Sequence, residues 1–527
     1  MNNRTPTAGP PGPTDAGALS SALAALRTPT LLRKEAAASL VVFLVALPLC
    51  VGVAVASGVP AELGIVTGIV GGILVGLMPG SRIQVSGPAA GLTVLVFEAV
   101  REFGLGMLGA IVLATGLLQV LLGLARCGRW FRAISVSVVQ GMLAGIGLVL
   151  VFGQLYTLAG AAQPRSGTDK ILGVPRLVVD TVTSGPALTA AGVGLLAGVV
   201  LVAWKWTPAR VRAVPAPLAA VVLATALVAG LGLDVPRVEV RGLLEAVQLP
   251  SLGALQGLGT LAVLGTVLAF TLIASAESLF SAAAVDRMHD GPRTHYDKEL
   301  VAQGVGNTVC GVLGALPMTA VIVRSAANVQ AGATTLLSRV MHGVWLLLFT
   351  VLWPAAIGVI PLPALAAVLV HAGCKLIPFK ALVPLWRRHR GEALILCATA
   401  IAIVTTSMFE GVVVGLLLAV VKAAWETSHV QLTTRELVGG RTVVELTGNA
   451  TFLRLPHILE TLEALPKDRP VELDLTEVRH LDHACRAALE GWAARHHDAG
   501  TTPVKLREAE PSATAPATGS GSRPAAD

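Results

Sequence analysis

Long apolar runs, separated by short polar or Gly/Pro-containing stretches, occupy this 527-residue chain from about residue 36 to residue 425. They fall near 36–57, 61–79, 86–100, 104–125, 134–158, 186–206 and 215–233, then 258–284, 299–316, 320–331, 337–359, 361–376, 391–408 and 410–425. About 18 apolar residues in a helix cross a hydrocarbon layer of ~30 Å, and most of these runs approach or exceed that length. None alternates with a period of two, and in lipid only helices and closed barrels satisfy their own backbone. The pattern therefore predicts an all-α polytopic membrane protein with fourteen spans.

Two runs are shorter than their neighbours, and each is the third of a group of seven. One begins in "VSGPAAGLTVLV" from Val85, the other in "LPMTAVIVRSAANVQAG" from Leu316. Short, interrupted segments at matching places in two halves point to inverted repeats with a binding site between them. After Trp425 the pattern changes. "RTVVELTGNATF" alternates like a strand, "LPHILETLEALP" has helical periodicity and "PVELDLTEV" reads as a strand. "DHACRAALEGWAARHHDAG" is an amphipathic helix ending in Gly, and "TPVKL" is a last strand. The expected organisation is a disordered polar lead-in over 1–34, a transmembrane domain over 35–426, a small α/β domain over 430–508 and a disordered tail over 509–527.

Composition agrees: 54% of residues are apolar and only 13% charged, too greasy for a soluble domain. The net charge of +7 does not imply nucleic acid, because the basic residues sit in short loops between spans. With the N-terminus inside, the clusters Arg126/Arg129/Arg132, Lys205/Arg210/Arg212 and Lys375/Lys380/Arg387/Arg388/Arg390 all fall on the cytoplasmic side. The long outer loop 159–185, with Arg165, Lys170 and Arg176, runs against that rule. Six scattered cysteines without CxxC, and no histidine at ligand spacing, predict neither a disulfide framework nor a metal site. The lead-in lacks the layout of a cleavable signal. No nucleotide or nucleophile-elbow fingerprint occurs, so no enzyme and no cofactor are expected.

The candidate chemistry lies in the two short segments and one acidic residue. A helix that starts at mid-membrane depth exposes unpaired N–H groups carrying about half a positive charge, and two such ends facing each other form an anion site. Pro88, Ala89, Ala90 and Gly91 supply one end, and Ile322, Val323, Arg324 and Ser325 the other. A buried arginine costs roughly 2.5–3.5 kcal/mol even on insertion scales, so Arg324 needs an anion, or a carboxylate when the anion has left. The carboxylate is Glu277, in "ASAESLFSAAAVD", with Ser281 one turn on; it would take a coupling H⁺ or, with Ser281, Na⁺. The plain alternative is a structural Arg324–Glu277 ion pair. His371 and the loop "DRMHDGPRTHYDKE" read as packing and as solvated chain.

At these residues the chain resembles the SulP (sulfate permease) family over about 36–500. The likeness rests on "ALPLCVGVAVASGVP", "GSRIQVSGPAAGLTVLV", "ASAESLFSAAAVDRM" and "ELVAQGVGNTVCGVLGALPMTAVIVRSAANVQAGATTLLS". It implies a homodimer of seven-plus-seven inverted repeats, with a core domain moving like an elevator against a gate domain. It also implies a C-terminal STAS domain, and substrates such as sulfate, bicarbonate, chloride or dicarboxylates. The family's half-helix position matches Pro88 to Gly91, its acidic position Glu277, the small polar residue Ser281 and the basic position Arg324. Departures are Ala89, Ile322 and Val323, where relatives often carry hydroxyls, and Leu49, where many carry Gln. The site is thus poor in side-chain donors. In the STAS-like part Asp482 is followed by His483 and Ala484 instead of a phosphorylatable Ser, so assembly is expected and phospho-switching is not.

The sequence therefore reads as a bacterial plasma-membrane secondary transporter of small inorganic anions, sulfate or bicarbonate, driven by H⁺ or Na⁺, with both termini cytoplasmic. Alternatives are a passive anion channel or exchanger on the same scaffold and a carboxylate or dicarboxylate transporter. A signalling scaffold and nucleobase uptake are further ones; Arg324 argues against the last.

Overall fold

The computed structural model describes residues 26–128, 135–164, 166–208, 211, 214–240, 242–437, 441–466, 470–499 and 504–507. Most of the lead-in, the tail, and Arg129, Arg132, Arg165, Arg210 and Arg212 of the basic stretches lie outside the described residues. The chain forms two compact units that divide between Leu416 and Leu417.

The first unit is helical. In its first half lie α1 (Pro29–Ala56), α2 (Ala61–Val70, continued by a π turn over Gly71–Val75), α3 (Thr93–Phe103), α4 (Leu105–Leu124) and α5 (Val136–Leu158). They are followed by α6 (Gly167–Leu172), α7 (Val174–Thr183), α8 (Gly185–Ala203) and α9 (Ala216–Leu231). Two short turns, α10 (Leu243–Ala246) and α11 (Leu252–Gly257), lead to α12 (Leu261–Val285), α13 (Tyr296–Val312), α14 (Ile322–Gln330) and α15 (Leu337–Leu352). Then come α16 (Ala355–Gly358), α17 (Leu362–Leu376), α18 (Phe379–Arg388), α19 (Arg390–Thr405) and α20 (Met408–Thr427), the last of which contains the division between the units. Every apolar run read from the sequence holds a helix, and seven helical stretches among the described residues are long and apolar enough to cross a membrane, one of them Leu362–Arg388, which comprises α17 and α18 together. The protein is a multi-pass membrane protein.

Three local features differ from the sequence reading. α1 starts at Pro29, inside the expected lead-in, because proline at the first helical turn is pre-set for helix and has no N–H to lose. The expected loop 159–185 contains α6 and α7; Ser166 caps α6 by accepting the Asp169 amide, and Lys170 is buried with its Nζ 5.0 Å from the Phe97 ring. The basic stretch after Lys375 contains α18, a separate helix because Ile377 and Pro378 leave helical geometry.

Within this unit α13 packs along α4, α1 against α15, and α5 against both α17 and α19. Two three-residue strands, β1 (Ser86–Pro88) and β2 (Met318–Ala320), precede the two short helices and pair antiparallel, with Gly87 opposite Thr319.

The second unit is a four-stranded sheet in the order β3 (Val430–Leu437), β4 (Arg441–Ala450), β5 (Val471–Leu481), β6 (Lys505–Arg507). β3 and β4 are antiparallel; the other neighbours are parallel, with α21 (Leu455–Glu463) and α22 (His483–Ala499) as crossovers. Ile458, Leu462, Cys485, Leu489 and Trp492 bury the helices against the sheet. Asp482 begins α22, accepting the Cys485 amide at 2.7 Å on one oxygen and the Phe452 amide on the other.

Candidate functional site

Two strands of three residues leave most of their backbone groups without a ladder partner, and in a membrane interior no water stands in. Buried side chains complete them. Asn307 accepts the Met318 amide at 2.7 Å and donates to the Met318 carbonyl at 3.1 Å, so its carboxamide acts as a further strand. Ser278 accepts the Ala320 amide through its hydroxyl at 3.3 Å, and its carbonyl accepts Gln84 Nε2 at 3.1 Å. Ser325 accepts the Val85 amide at 2.9 Å and donates to the Val321 carbonyl at 2.8 Å. Gln303 Nε2 donates to Ser86 Oγ at 2.6 Å and to Glu299 at 2.8 Å, while Glu299 accepts the Ser81 amide at 2.8 Å. Glu299, Gln303 and Asn307 recur every four residues and so share one face of α13. That face fixes both chain segments entering the crossing.

Helix α14 follows Val321, whose amide bonds the Val85 carbonyl at 2.9 Å. The next amide in the helical ladder is Ser325, bonded to Val321 O at 3.0 Å, so those of Ile322, Val323 and Arg324 have no intrahelical partner. On the other side Ala89 precedes a 3₁₀ turn over Ala90–Leu92 that runs into α3. The two ends border one cavity of about 310 Å³. Pro88, Ala90, Gly91, Val321, Ile322, Val323 and Arg324 line it on the crossing side, and Glu277, Phe280 and Ser281 on α12. The remaining wall comes from α1, α5 and α17, with Leu49, Val139 and Lys375 among its residues.

The two ionisable residues singled out from the sequence both approach the "SGPAAG" stretch. A Cβ on Gly87 would collide with Arg324 Nη1, so the absence of a side chain there seats the guanidinium. A Cβ on Gly91 would lie 2.7 Å from both carboxylate oxygens of Glu277. Arg324 is fully buried, with the Cys50 thiol and the His342 ring beside it, and none of its three nitrogens has an oxygen acceptor. Oε2 of Glu277 is likewise buried without a partner. The expected Arg324–Glu277 pairing does not occur: the guanidinium turns to Gly87 and the carboxylate to Gly91. The three guanidinium nitrogens of Arg324 are covered from solvent.

Of the residues expected at the site, Pro88, Ala90, Gly91, Ile322, Val323, Arg324, Glu277 and Ser281 meet at the cavity. Ala89 is buried in the apolar core beside it, and the Ser325 hydroxyl is engaged with backbone, so neither lines the space. Lys375 does line it and was missed; a single lysine in the last turn of an apolar run was its signal, masked by the basic cluster that follows. Among the described residues no group of three His, Cys, Asp or Glu is placed to hold a metal ion.

Residues 32–399 match the model of the sulfate permease family. The chain belongs to that family. Its members are membrane transporters and not enzymes. The YvdB protein of Bacillus subtilis is 29% identical over 397 residues, 74% of this chain and 73% of its own. The bicarbonate transporter BicA of Synechocystis is 25% identical over 448 residues, 79% of this chain and 77% of its own. Among solved structures, the murine anion transporter Slc26a9 in its inward-facing state superposes with a TM-score of 0.73, covering 90% of this chain and 85% of its own. At 15% identity that likeness speaks to the fold alone.

Proposed function

We propose that this sulfate permease homologue is a secondary active transporter of a small inorganic anion, sulfate or bicarbonate, coupled to H⁺ or Na⁺ through Glu277. The observation that carries the reading is the convergence of two helix starts, Arg324, Lys375 and Glu277 on one cavity. Two helix ends bring about half a positive charge each, and Arg324 and Lys375 one each. Against the single negative charge of Glu277 the cavity is cationic by about two units, suited to an anion.

Coupling follows from the same geometry. A monovalent anion held about 5 Å from an ionised Glu277 is opposed by roughly 3 kcal/mol at an effective dielectric of about 20. A proton or Na⁺ on the carboxylate removes that opposition, and by linkage the anion strengthens cation binding by the same factor. Ser281, which lines the same cavity, would share a Na⁺ with the carboxylate.

The fourteen apolar runs, each of which holds a helix, fit seven-plus-seven inverted repeats, and the antiparallel β1/β2 register supports this, because a two-fold axis in the membrane plane demands it. The second unit fits a STAS domain on the cytoplasmic side of a bacterial plasma membrane, in a homodimer.

The test is uptake of labelled sulfate or bicarbonate into proteoliposomes under an imposed Na⁺ or proton gradient, in wild type, Arg324→Ala and Glu277→Gln. One anion driven by one gradient, with affinity lost in Arg324→Ala and gradient dependence lost in Glu277→Gln, is the expected result. Normal affinity in Arg324→Ala overturns the role of the arginine. Currents that need no gradient and survive Glu277→Gln would identify a passive conductor instead.

A further inference from the structure

No residue of α18 lines the cavity. At about 100° per residue, Phe379, Val383 and Trp386 fall within an arc of roughly 60°. These three side chains are 61%, 57% and 47% exposed, although large and apolar. Beside them Lys380 and Arg387 form a second stripe, extended by Arg388, and all three are exposed. Ala381, Leu382 and Leu385 make up the half-buried side, and α18 packs against α19. The helix thus has three sectors: one against the protein, one bare and apolar, one basic.

No acidic residue occurs between Lys375 and Arg390, whereas Lys375, Lys380, Arg387, Arg388 and Arg390 do. Ten residues make a helix about 15 Å long, too short to cross ~30 Å of hydrocarbon. Ile377 and Pro378 leave helical geometry, so α18 is a helix separate from α17. A short helix with an aromatic apolar stripe next to a cationic stripe has the chemistry of a helix lying in the headgroup layer.

We propose that α18 is an anionic-phospholipid docking surface, with Phe379, Val383 and Trp386 in the upper acyl region and Lys380, Arg387 and Arg388 on the phosphates. The charge complementarity selects the partner: a zwitterionic surface satisfies the apolar stripe equally well but leaves the basic stripe unused. Each basic residue near an anionic surface gives roughly a five-fold preference before screening. Through the short Ile377–Pro378 link the bound lipid would also steady the last turn of α17, which carries Lys375 into the cavity.

The experiment reads binding, not transport, so it stands or falls separately from the proposed function. Full-length wild type and the triple variant K380Q/R387Q/R388Q are reconstituted in phosphatidylcholine vesicles. A small, equal fraction of either brominated phosphatidylglycerol or brominated phosphatidylcholine is included. Quenching of Trp386 is taken as the difference between each protein and its Trp386→Phe counterpart. Brominated phosphatidylglycerol should quench Trp386 at least about two-fold more strongly than brominated phosphatidylcholine, and high salt should shrink that excess. In the triple variant the two lipids should quench equally. Equal quenching in wild type would overturn anionic selectivity, and no quenching by either lipid would overturn the docking surface altogether. Since the substituted side chains are exposed, monodispersity and helix content of the variant should match wild type, which keeps misfolding separate from lost binding.

Discussion

Replacing Gly91 by alanine should weaken the coupling cation while leaving the anion site nearly intact. The added Cβ would stand 2.7 Å from both oxygens of Glu277 and 2.9 Å from its carboxyl carbon. Ordinary contact is about 3.5 Å, so the carboxylate must retreat by roughly 0.8 Å. The backbone is no obstacle, because Gly91 is not among the glycines with positive φ, and the obstructing atoms are the far end of one side chain. For a cation held about 3 Å from the carboxylate at an effective dielectric of about 20, that retreat costs roughly 1.2 kcal/mol, or about seven-fold in affinity. The assay is uptake into proteoliposomes as a function of driving-cation concentration at saturating anion, and of anion concentration at saturating cation. Cation half-saturation should rise about seven-fold with the anion value changed less than about two-fold. Gly87→Ala is the reciprocal control, since its Cβ collides with Arg324 and should raise the anion value first. A Gly91→Ala protein with unchanged cation dependence, or with only its anion affinity reduced, would refute the assignment of Glu277 to coupling.

Two further predictions test the scaffold. Asn307→Ala strips partners from both the amide and the carbonyl of Met318. It should cost about 1–3 kcal/mol for each group, read as a lower unfolding temperature together with a raised anion half-saturation; Asn307→Asp keeps the acceptor for the amide and should recover part of both. In the second unit burial raises the Asp482 carboxyl, but the Cys485 and Phe452 amides outweigh it and hold the group below its usual value. Its stabilisation is therefore present above the ordinary value of about 3.9 and lost as pH falls through the lower folded value. Asp482→Ala should cost about 1 kcal/mol as a lost helix cap, seen near neutral pH as roughly five-fold faster hydrogen exchange of α22 amides in the full-length protein.

What the sequence disclosed was governed by hydrophobic length. The helical segments, the two interrupted ones and the isolated Glu277 and Arg324 stand out because polar residues in apolar runs are rare. The β-α pattern after residue 440 was equally plain, though β3 escaped notice in a stretch whose alternation is carried by Val430 and Leu432 among threonines. α18 was hidden because its apolar and basic residues interleave around Pro384 and read as a loop. Glu299, Gln303 and Asn307 drew no attention because a polar residue on a helix declares its purpose only when its partner is known. Their partners lie at Ser81, Ser86 and Met318. Ser325 was misread for the same reason: its neighbour in sequence faces the cavity, while its hydroxyl closes the crossing behind it.

The deeper limit concerns direction. Composition identifies a buried cation and a buried anion and suggests that they meet, since mutual neutralisation is the cheapest arrangement. Instead each is seated by its own glycine, four residues apart on one backbone segment, with Arg324 over Gly87 and Glu277 beside Gly91. Keeping the two charges apart would, on the proposed reading, leave both available to mobile partners, which a direct pair would forfeit. On the proposed reading, an anion that draws this segment towards Arg324 also moves the wall against which the coupling cation binds. The two binding events then share one mechanical element whose position both bias, and that shared bias is the physical content of coupling.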